Sequence, residues 1–200
     1  MRNHILFVPG NGCRAQEDYP KTWAALEDAG FTLSEVVPPW GQPFAEIAKH
    51  VTEDMARQIG HSTIVLSHSH GSNLALPTVI KQTEAAAIIA SPSTLCATGY
   101  ADPFARAYAE RAFPDQADTI LPFADTSSYT GARIAPQHTA VLVGEQEIAK
   151  WPFMETIAVA IAAQLGTTAT RVANAHHFID HSQSYIEAVV QAARQLQNTT

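Results

Sequence analysis

The sequence predicts an α/β fold: a three-layer sandwich built on a mainly parallel sheet of about six strands, with helices on both faces. Three observations lead there. Short strand-like runs alternate with longer helical ones along most of the chain. Most of the short runs are continuously apolar rather than strictly alternating, as parallel strands covered on both sides require. The helical runs carry prolines where a first turn tolerates them and glycines where a helix stops.

In chain order, the first strand is expected over residues 4–8, an apolar run that stops at Pro9-Gly10. A helix follows between Pro20 and Gly30, and a second strand over 32–37. Pro43 and Gly60 bracket the next helix, and the β-branched run at 63–67 gives the third strand. Residues 72–82 read as a helix that Pro77 should bend or shorten, because proline cannot donate to the preceding turn. Strands are then expected at 86–90, 139–143 and 168–173, with a helix from Pro152 to Gly166 before the last of them. Ser184 and Glu187 have capping-box spacing for a final helix that reaches about Gln195.

Residues 91–136 break this rhythm. The segment holds five prolines, Pro92, Pro103, Pro114, Pro122 and Pro136, a helical stretch at 103–111 and scattered aromatics that include Phe104. A long excursion inside one domain usually covers a site, so a lid or substrate-binding insertion is expected here. No linker divides the chain, and residues 1–200 are read as one domain.

Composition narrows the function classes. The chain is 46% hydrophobic and 16% charged, with a net charge of -7. An acidic protein is not drawn to nucleic acid or to an anionic membrane surface. The longest apolar helical stretch, 157–165, falls short of a membrane span, and the N-terminal apolar run is too short for a signal-peptide core. A cytoplasmic location is therefore expected. Cys13 and Cys96 make no disulfide framework.

The chemistry concentrates around Ser67-His68-Ser69-His70-Gly71, which lies between the third strand and the following helix. A strand, a sharp turn around a central serine and then a helix is the setting of a nucleophile elbow. The turn demands small residues two places before and after the serine; Gly71 and Ser67 meet that demand. A serine hydroxyl needs a base, and the base needs a partner to fix its tautomer. Such groups belong at the carboxyl ends of other strands. The strand at 139–143 runs into Gly144-Glu145-Gln146-Glu147, and the strand at 168–173 into Asn174-Ala175-His176-His177-Phe178. Serine, acid and histidine thus follow one another along the chain, each just beyond a strand.

This order resembles the α/β-hydrolase superfamily over nearly the whole chain. The resemblance implies a serine hydrolase in which Ser69 attacks a carbonyl. Glu147 takes the acid position of a Gly-x-x-Asp turn, with Glu145 and, further off, Asp125 as alternatives. It places the base at His177, with His176 as the alternative register. Val8-Pro9-Gly10-Asn11-Gly12 is similar to the family's His-Gly-x-Gly loop, which implies an oxyanion hole made of the Asn11 and His70 backbone N–H groups. The elbow departs from the family by opening on Ser67 instead of glycine. The chain also lacks room for two strands that the full family carries before the first strand seen here. A small acyl substrate, most simply a carboxylic ester, and no cofactor or metal are expected. Thioesterase, amidase and acyltransferase chemistry stay open on the same three residues. Acyl chain, leaving group and oligomeric state leave no mark on the residues.

Two readings from other classes compete. His68-x-His70, with His176, His177, Asp180 and His181, offers zinc-type ligands for a metal-dependent hydrolase. The stretch partly resembles the His-x-His-x-Asp-His motif of the metallo-β-lactamase superfamily, but Ser72 and Asn73 replace its last two ligands. The other rival is a non-catalytic, hydrolase-like binding protein. Trp40, Trp151 and Phe104 are candidate substrate-binding aromatics. Cys13 is read as a small buried side chain.

Overall fold

A computed structural model describes residues 1–82, 85–92, 110 and 133–199. The strands are β1 (His4–Val8), β2 (Thr32–Glu35), β3 (Thr63–His68), β4 (Ala86–Ala90), β5 (Thr139–Gly144) and β6 (Ala169–Val172). The helices are α1 (Ala15–Asp18), α2 (Pro20–Asp28), α3 (Phe44–Gln58), α4 (Gly71–Val79), α5 (Glu145–Lys150), α6 (Phe153–Gln164) and α7 (Gln183–Gln197). The strands form one open, six-stranded sheet in the order β2-β1-β3-β4-β5-β6, and every neighbouring pair is parallel.

Strand residues alternate between two cores, because successive side chains leave opposite faces. Leu6, Val8, Val65, Ala87, Ile89, Val141 and Val143 pack with Val51 and Met55 of α3, Leu74 of α4 and Ile157 and Ile161 of α6. Ile5, Phe7, Ile64, Leu66, Ile88 and Leu142 pack with Leu26 of α2 and Tyr185, Ile186 and Val189 of α7. Helices therefore cover both faces, and the central strands β3 and β4 are buried along their whole length. The outer strands β2 (Thr-Leu-Ser-Glu) and β6 (Ala-Thr-Arg-Val) are the more polar and more exposed ones.

Parallel register brings the carboxyl ends of the strands level. Val8 pairs with Ser67, His68 with Ala90, Ala90 with Leu142 and Gly144 with Val172. Residues 9–13, 69–70, 91–92, 145–147 and 173–178 thus leave the sheet along one rim.

Beyond shifts of one or two residues at element ends, three local departures from the sequence expectation have a physical reason. β2 ends at Glu35 and not at 37, since Pro38 and Pro39 carry no amide hydrogen to continue the ladder. α4 ends at Val79, short of 82, with Pro77 inside its last turn. The capping box at Ser184 and Glu187 does not form. α7 starts at Gln183 with Ser182 as its cap residue, the Ser184 hydroxyl donates to the Ala173 carbonyl at 2.7 Å, and Glu187 accepts from Gln183. The bond across to β6 wins because Ser184 faces the strand end rather than its own amides. Most of 91–136, including Phe104, lies outside the described residues, so the expected insertion is not described. Among the described residues no helix is long and apolar enough to cross a membrane.

Candidate active site

Ser69 follows the last residue of β3 and precedes α4. Its backbone has φ 51°, in the left-handed region that a non-glycine residue seldom enters. The sheet holds it there: the Ser69 N–H donates to the Ala90 carbonyl at 3.0 Å, and its own carbonyl accepts from Ser72 N–H at 3.0 Å, inside the first turn of α4. This sharp reversal is possible because Gly71 passes directly over the end of β1. A Cβ on Gly71 would lie 2.4 Å from both the Val8 and Pro9 carbonyl oxygens. Ser67 Oγ sits 3.2 Å from Ser72 Oγ, so the small residue at the elbow's first position is tied to the helix start.

The Ser69 hydroxyl lies 2.9 Å from Nε2 of His177. On the other side of that ring, Nδ1 lies 2.5 Å from Oε1 of Glu147. A carboxylate accepts, so the Nδ1 proton points to Glu147 and Nε2 is left to accept from serine. His177 is half-buried, with the Trp151 ring edge-on at 5.9 Å. His176 is exposed; its backbone N–H donates to Ser182 Oγ at 2.9 Å. Glu145 is exposed as well, and its carboxylate accepts from Asn174 N–H at 3.4 Å. Of the two histidines and two glutamates weighed on sequence grounds, the structure places His177 and Glu147 in line with Ser69.

Glu147 is buried, and its second oxygen has protein donors. Ser91 Oγ donates to Oε2 at 2.5 Å, and Gly144 N–H at 3.3 Å. Ser91 follows β4 with φ 43°, and its N–H donates to the Leu142 carbonyl at 2.8 Å. The Tyr185 hydroxyl stands 2.8 Å from Ser91 Oγ and 3.2 Å from the Leu142 carbonyl. Burial, and then the nearby Glu147 charge, push the Tyr185 phenol well up, so it stays a donor. Both carboxylate oxygens are thus engaged, as a buried charge requires.

The loop after β1 lies beside the elbow and is tied down from several directions. Cys13 N–H donates to the Gly10 carbonyl at 3.1 Å, and the Trp40 indole N–H to the Cys13 carbonyl at 3.1 Å. Glu35, at the end of β2, accepts from Ala15 N–H at 2.6 Å and from Arg14. Asn11 is exposed at the rim, and its N–H has no acceptor among the described residues. His70 is fully buried, opens α4, and has its Nδ1 3.1 Å from Asn73 Nδ2. The Trp40 ring centroid lies 6.5 Å from the His70 ring, and Trp40 and Trp151 are both half-buried and pack against the core on the α3, α4 and α6 side of the sheet. Burial pushes the Cys13 thiol up, against a reactive thiolate.

The candidate zinc ligands do not come together. Among the described residues no three His, Cys, Asp or Glu side chains are placed to hold a metal ion. Asp180 instead caps α2: its carboxylate accepts from Lys21 N–H at 2.8 Å and from Thr22 N–H at 2.9 Å.

No protein-family model and no curated protein matches the sequence. Solved structures do match in shape. A monoacylglycerol lipase from Paleococcus ferrophilus superposes with a TM-score of 0.66 at 15% identity, over 98% of this chain and 95% of that one. Carboxylesterase CesB (YbfK) from Bacillus subtilis gives 0.63 at 15% identity, over 98% and 84%. Alpha/beta hydrolase domain-containing protein 10 from mouse gives 0.64 at 12% identity, over 96% and 88%. The chain has the α/β-hydrolase fold.

In this α/β-hydrolase fold, Ser69, Glu147 and His177 stand beyond the ends of β3, β5 and β6, and β4 lies between the strand of the serine and that of the acid. Ser91, at the end of β4, fills that gap. Ser91, Tyr185 and Tyr19 were not singled out on sequence grounds as contributors to a site. Tyr185 reads as an ordinary apolar position of an amphipathic helix. Ser91 carried the one available signal, a small hydroxyl residue straight after a buried strand.

The buried imidazoles have a consequence for stability. Burial holds His70 down to about 4, and burial, reinforced by nearby His177, holds His68 down to about 3, from an ordinary value of 6.5. Below pH 6.5 the unfolded chain therefore takes up two protons that the fold refuses. Each group costs roughly 1.4 kcal/mol of stability per pH unit, until its folded value is reached. The contribution is constant above neutrality, begins to be lost near pH 6.5, and is lost down to about 4 for His70 and about 3 for His68. Urea midpoints should fall steeply between pH 7 and pH 5; equal midpoints would refute the neutral assignment.

Proposed function

We propose that the protein is a serine hydrolase that cleaves a carboxylic ester through an acyl-enzyme. The observation that carries this reading is the hydrogen-bonded series Ser69 Oγ to His177 Nε2 at 2.9 Å and His177 Nδ1 to Glu147 Oε1 at 2.5 Å. Its members come from three distant parts of the chain, and its serine sits at φ 51°.

Ser69 attacks the carbonyl carbon while His177 accepts the hydroxyl proton at Nε2. Glu147 holds the Nδ1 tautomer and stabilises the imidazolium that forms. The negative charge that builds on the carbonyl oxygen is met by the backbone N–H groups of Asn11 and His70. Each such donor is worth about 3 kcal/mol of barrier. His177 then gives its proton to the departing alkoxide, which leaves as the alcohol, and Ser69 keeps the acyl group. A water molecule, activated by the same imidazole, releases the carboxylic acid and restores Ser69. Trp151, edge-on to the His177 ring, and Trp40, near the His70 ring, are assigned to the substrate rim.

Labelling with a fluorophosphonate, followed by peptide mapping, tests the reading. Adduct is expected on Ser69 and is expected to vanish in Ser69→Ala. An intact protein that takes up no label at Ser69, or hydrolysis of p-nitrophenyl esters that survives Ser69→Ala, would overturn it.

A further inference from the structure

We propose that His68, the last residue of β3, is a positioning residue that locks the loop after β1 to the backbone of His177. The inference rests on the serine-hydrolase reading and adds to it a group that touches neither substrate nor reacting atoms.

His68 is buried, and both of its ring nitrogens are engaged. Nε2 lies 2.8 Å from the His177 carbonyl oxygen, and Nδ1 lies 2.8 Å from the Tyr19 hydroxyl. A carbonyl can only accept, so the ring proton sits on Nε2 and Nδ1 is an acceptor. The Tyr19 hydroxyl must then donate to Nδ1. Its oxygen accepts in turn from the Gly10 N–H at 3.2 Å. The bonds therefore run in one direction without a gap, from Gly10 N–H through Tyr19 and His68 to the His177 carbonyl. One end lies next to Asn11, the proposed oxyanion donor. The other end is the backbone of the proposed base.

Packing fixes this relay in place. Tyr19 stacks on Phe178 at 4.6 Å, and His68 meets the Tyr19 and Phe178 rings edge-on at 5.4 and 5.6 Å. Gly10 lies close against the relay: a Cβ there would lie 3.1 Å from the Tyr19 hydroxyl and 3.2 Å from His68 Nδ1, so a larger residue would press both groups by a few tenths of an ångström. The centroids of the His68 and His177 rings are 5.1 Å apart. His177 becomes positive as it takes the serine proton, so a charged neighbour at that distance would oppose the step. The buried aromatic surroundings keep His68 neutral, and it can brace the base without repelling it.

The test is hydrolysis of p-nitrophenyl butyrate by the full chain, by His68→Phe, His68→Gln and Tyr19→Phe, with a thermal midpoint for each. His68→Phe keeps the ring volume and loses both bonds. It is expected to lower kcat by about 10- to 100-fold with KM unchanged, the size of a small misplacement of reacting groups. His68→Gln retains an N–H that can reach the His177 carbonyl and should recover most of that loss. Tyr19→Phe cuts only the Gly10 arm and should lower kcat by less; it carries the test if His68→Phe does not fold. Unchanged kcat in a folded His68→Phe or Tyr19→Phe, a rise in KM that matches the loss of rate, or a His68→Gln as slow as His68→Phe would each overturn the proposal. Where Ser69 still takes fluorophosphonate in the wild type, such a result removes the role of His68 alone. Where Ser69 takes none, the hydrolase reading falls and this inference with it.

Discussion

His177→Ala should lower kcat by about 10⁴- to 10⁶-fold, whereas His176→Ala should leave the rate near that of the wild type. The two residues are adjacent, carry the same side chain and sit in one loop. Geometry separates them. The His177 ring lies between the Ser69 hydroxyl and Glu147, while His176 is exposed and its contact to Ser182 is made by its backbone N–H. A side chain exchanged for alanine at 176 leaves that backbone bond intact. The loss at 177 is large because the proton has nowhere else to go: the Ser69 hydroxyl would face a cavity, and the buried Glu147 would lose the partner of one oxygen. KM should change little, since the ring acts on the reacting bond and not on the acyl group. Steady-state kinetics on p-nitrophenyl butyrate with both variants decides the matter. Equal losses at 176 and 177 would leave the assignment of the base without support.

Gly71→Ala should destabilise the fold by more than about 3 kcal/mol and abolish activity in whatever folded protein remains. The added methyl would meet the Val8 and Pro9 carbonyl oxygens at 2.4 Å, and both are backbone atoms of the strand end beside it. No rotamer change relieves such a contact. Either α4 moves away from β1, or the loop after β1 moves away from the elbow. Both motions pull the Asn11 and His70 amides apart, so stability and activity fall together. Gly144→Ala meets the same kind of obstacle, with a Cβ 2.3 Å from the Ala175 carbonyl in the loop that carries His177. Gly60→Ala is the control: nothing lies within 4 Å of a Cβ built there, and its stability should match the wild type. Urea unfolding of the three variants checks the ranking, and a Gly71→Ala as stable as Gly60→Ala would contradict it.

Much of this architecture could be read from the residues because the relevant signals are local. The β-branched run at 63–67, with Ile64, Val65 and Leu66 at its centre, and the continuous apolar run at 86–90 report strands buried on both faces, and they became the central strands β3 and β4. The Ser69 turn was legible from the small residues around it, since its strain and its close approach to β1 admit few alternatives. What stayed hidden depends on partners distant in the sequence. Nothing near Tyr19 says that its hydroxyl meets a histidine 49 positions later. Nothing near Ser91 says that it will hold an acid 56 positions away. The capping box expected at Ser184 fails for the same reason: a local motif lost to a bond with Ala173 that only the folded chain makes available. His176 and His177 could not be separated by sequence, because a one-residue shift in a loop changes which ring faces inward and leaves composition untouched.

The outer strands, β2 and β6, carry a further implication. Among the described residues each is paired on one side only, which leaves a row of amides and carbonyls facing outward. Bare rims of this kind invite a foreign strand to dock and extend the sheet. Here the side chains along those rims are already committed. Ser34 is bonded to His4 and Gln58, Glu35 to Arg14, and Arg171 to Glu155. Charged side chains of these outer strands, Glu35 on β2 and Arg171 on β6, would stand beside a visiting strand, so runaway stacking of one copy on another is discouraged even though the sheet stays open.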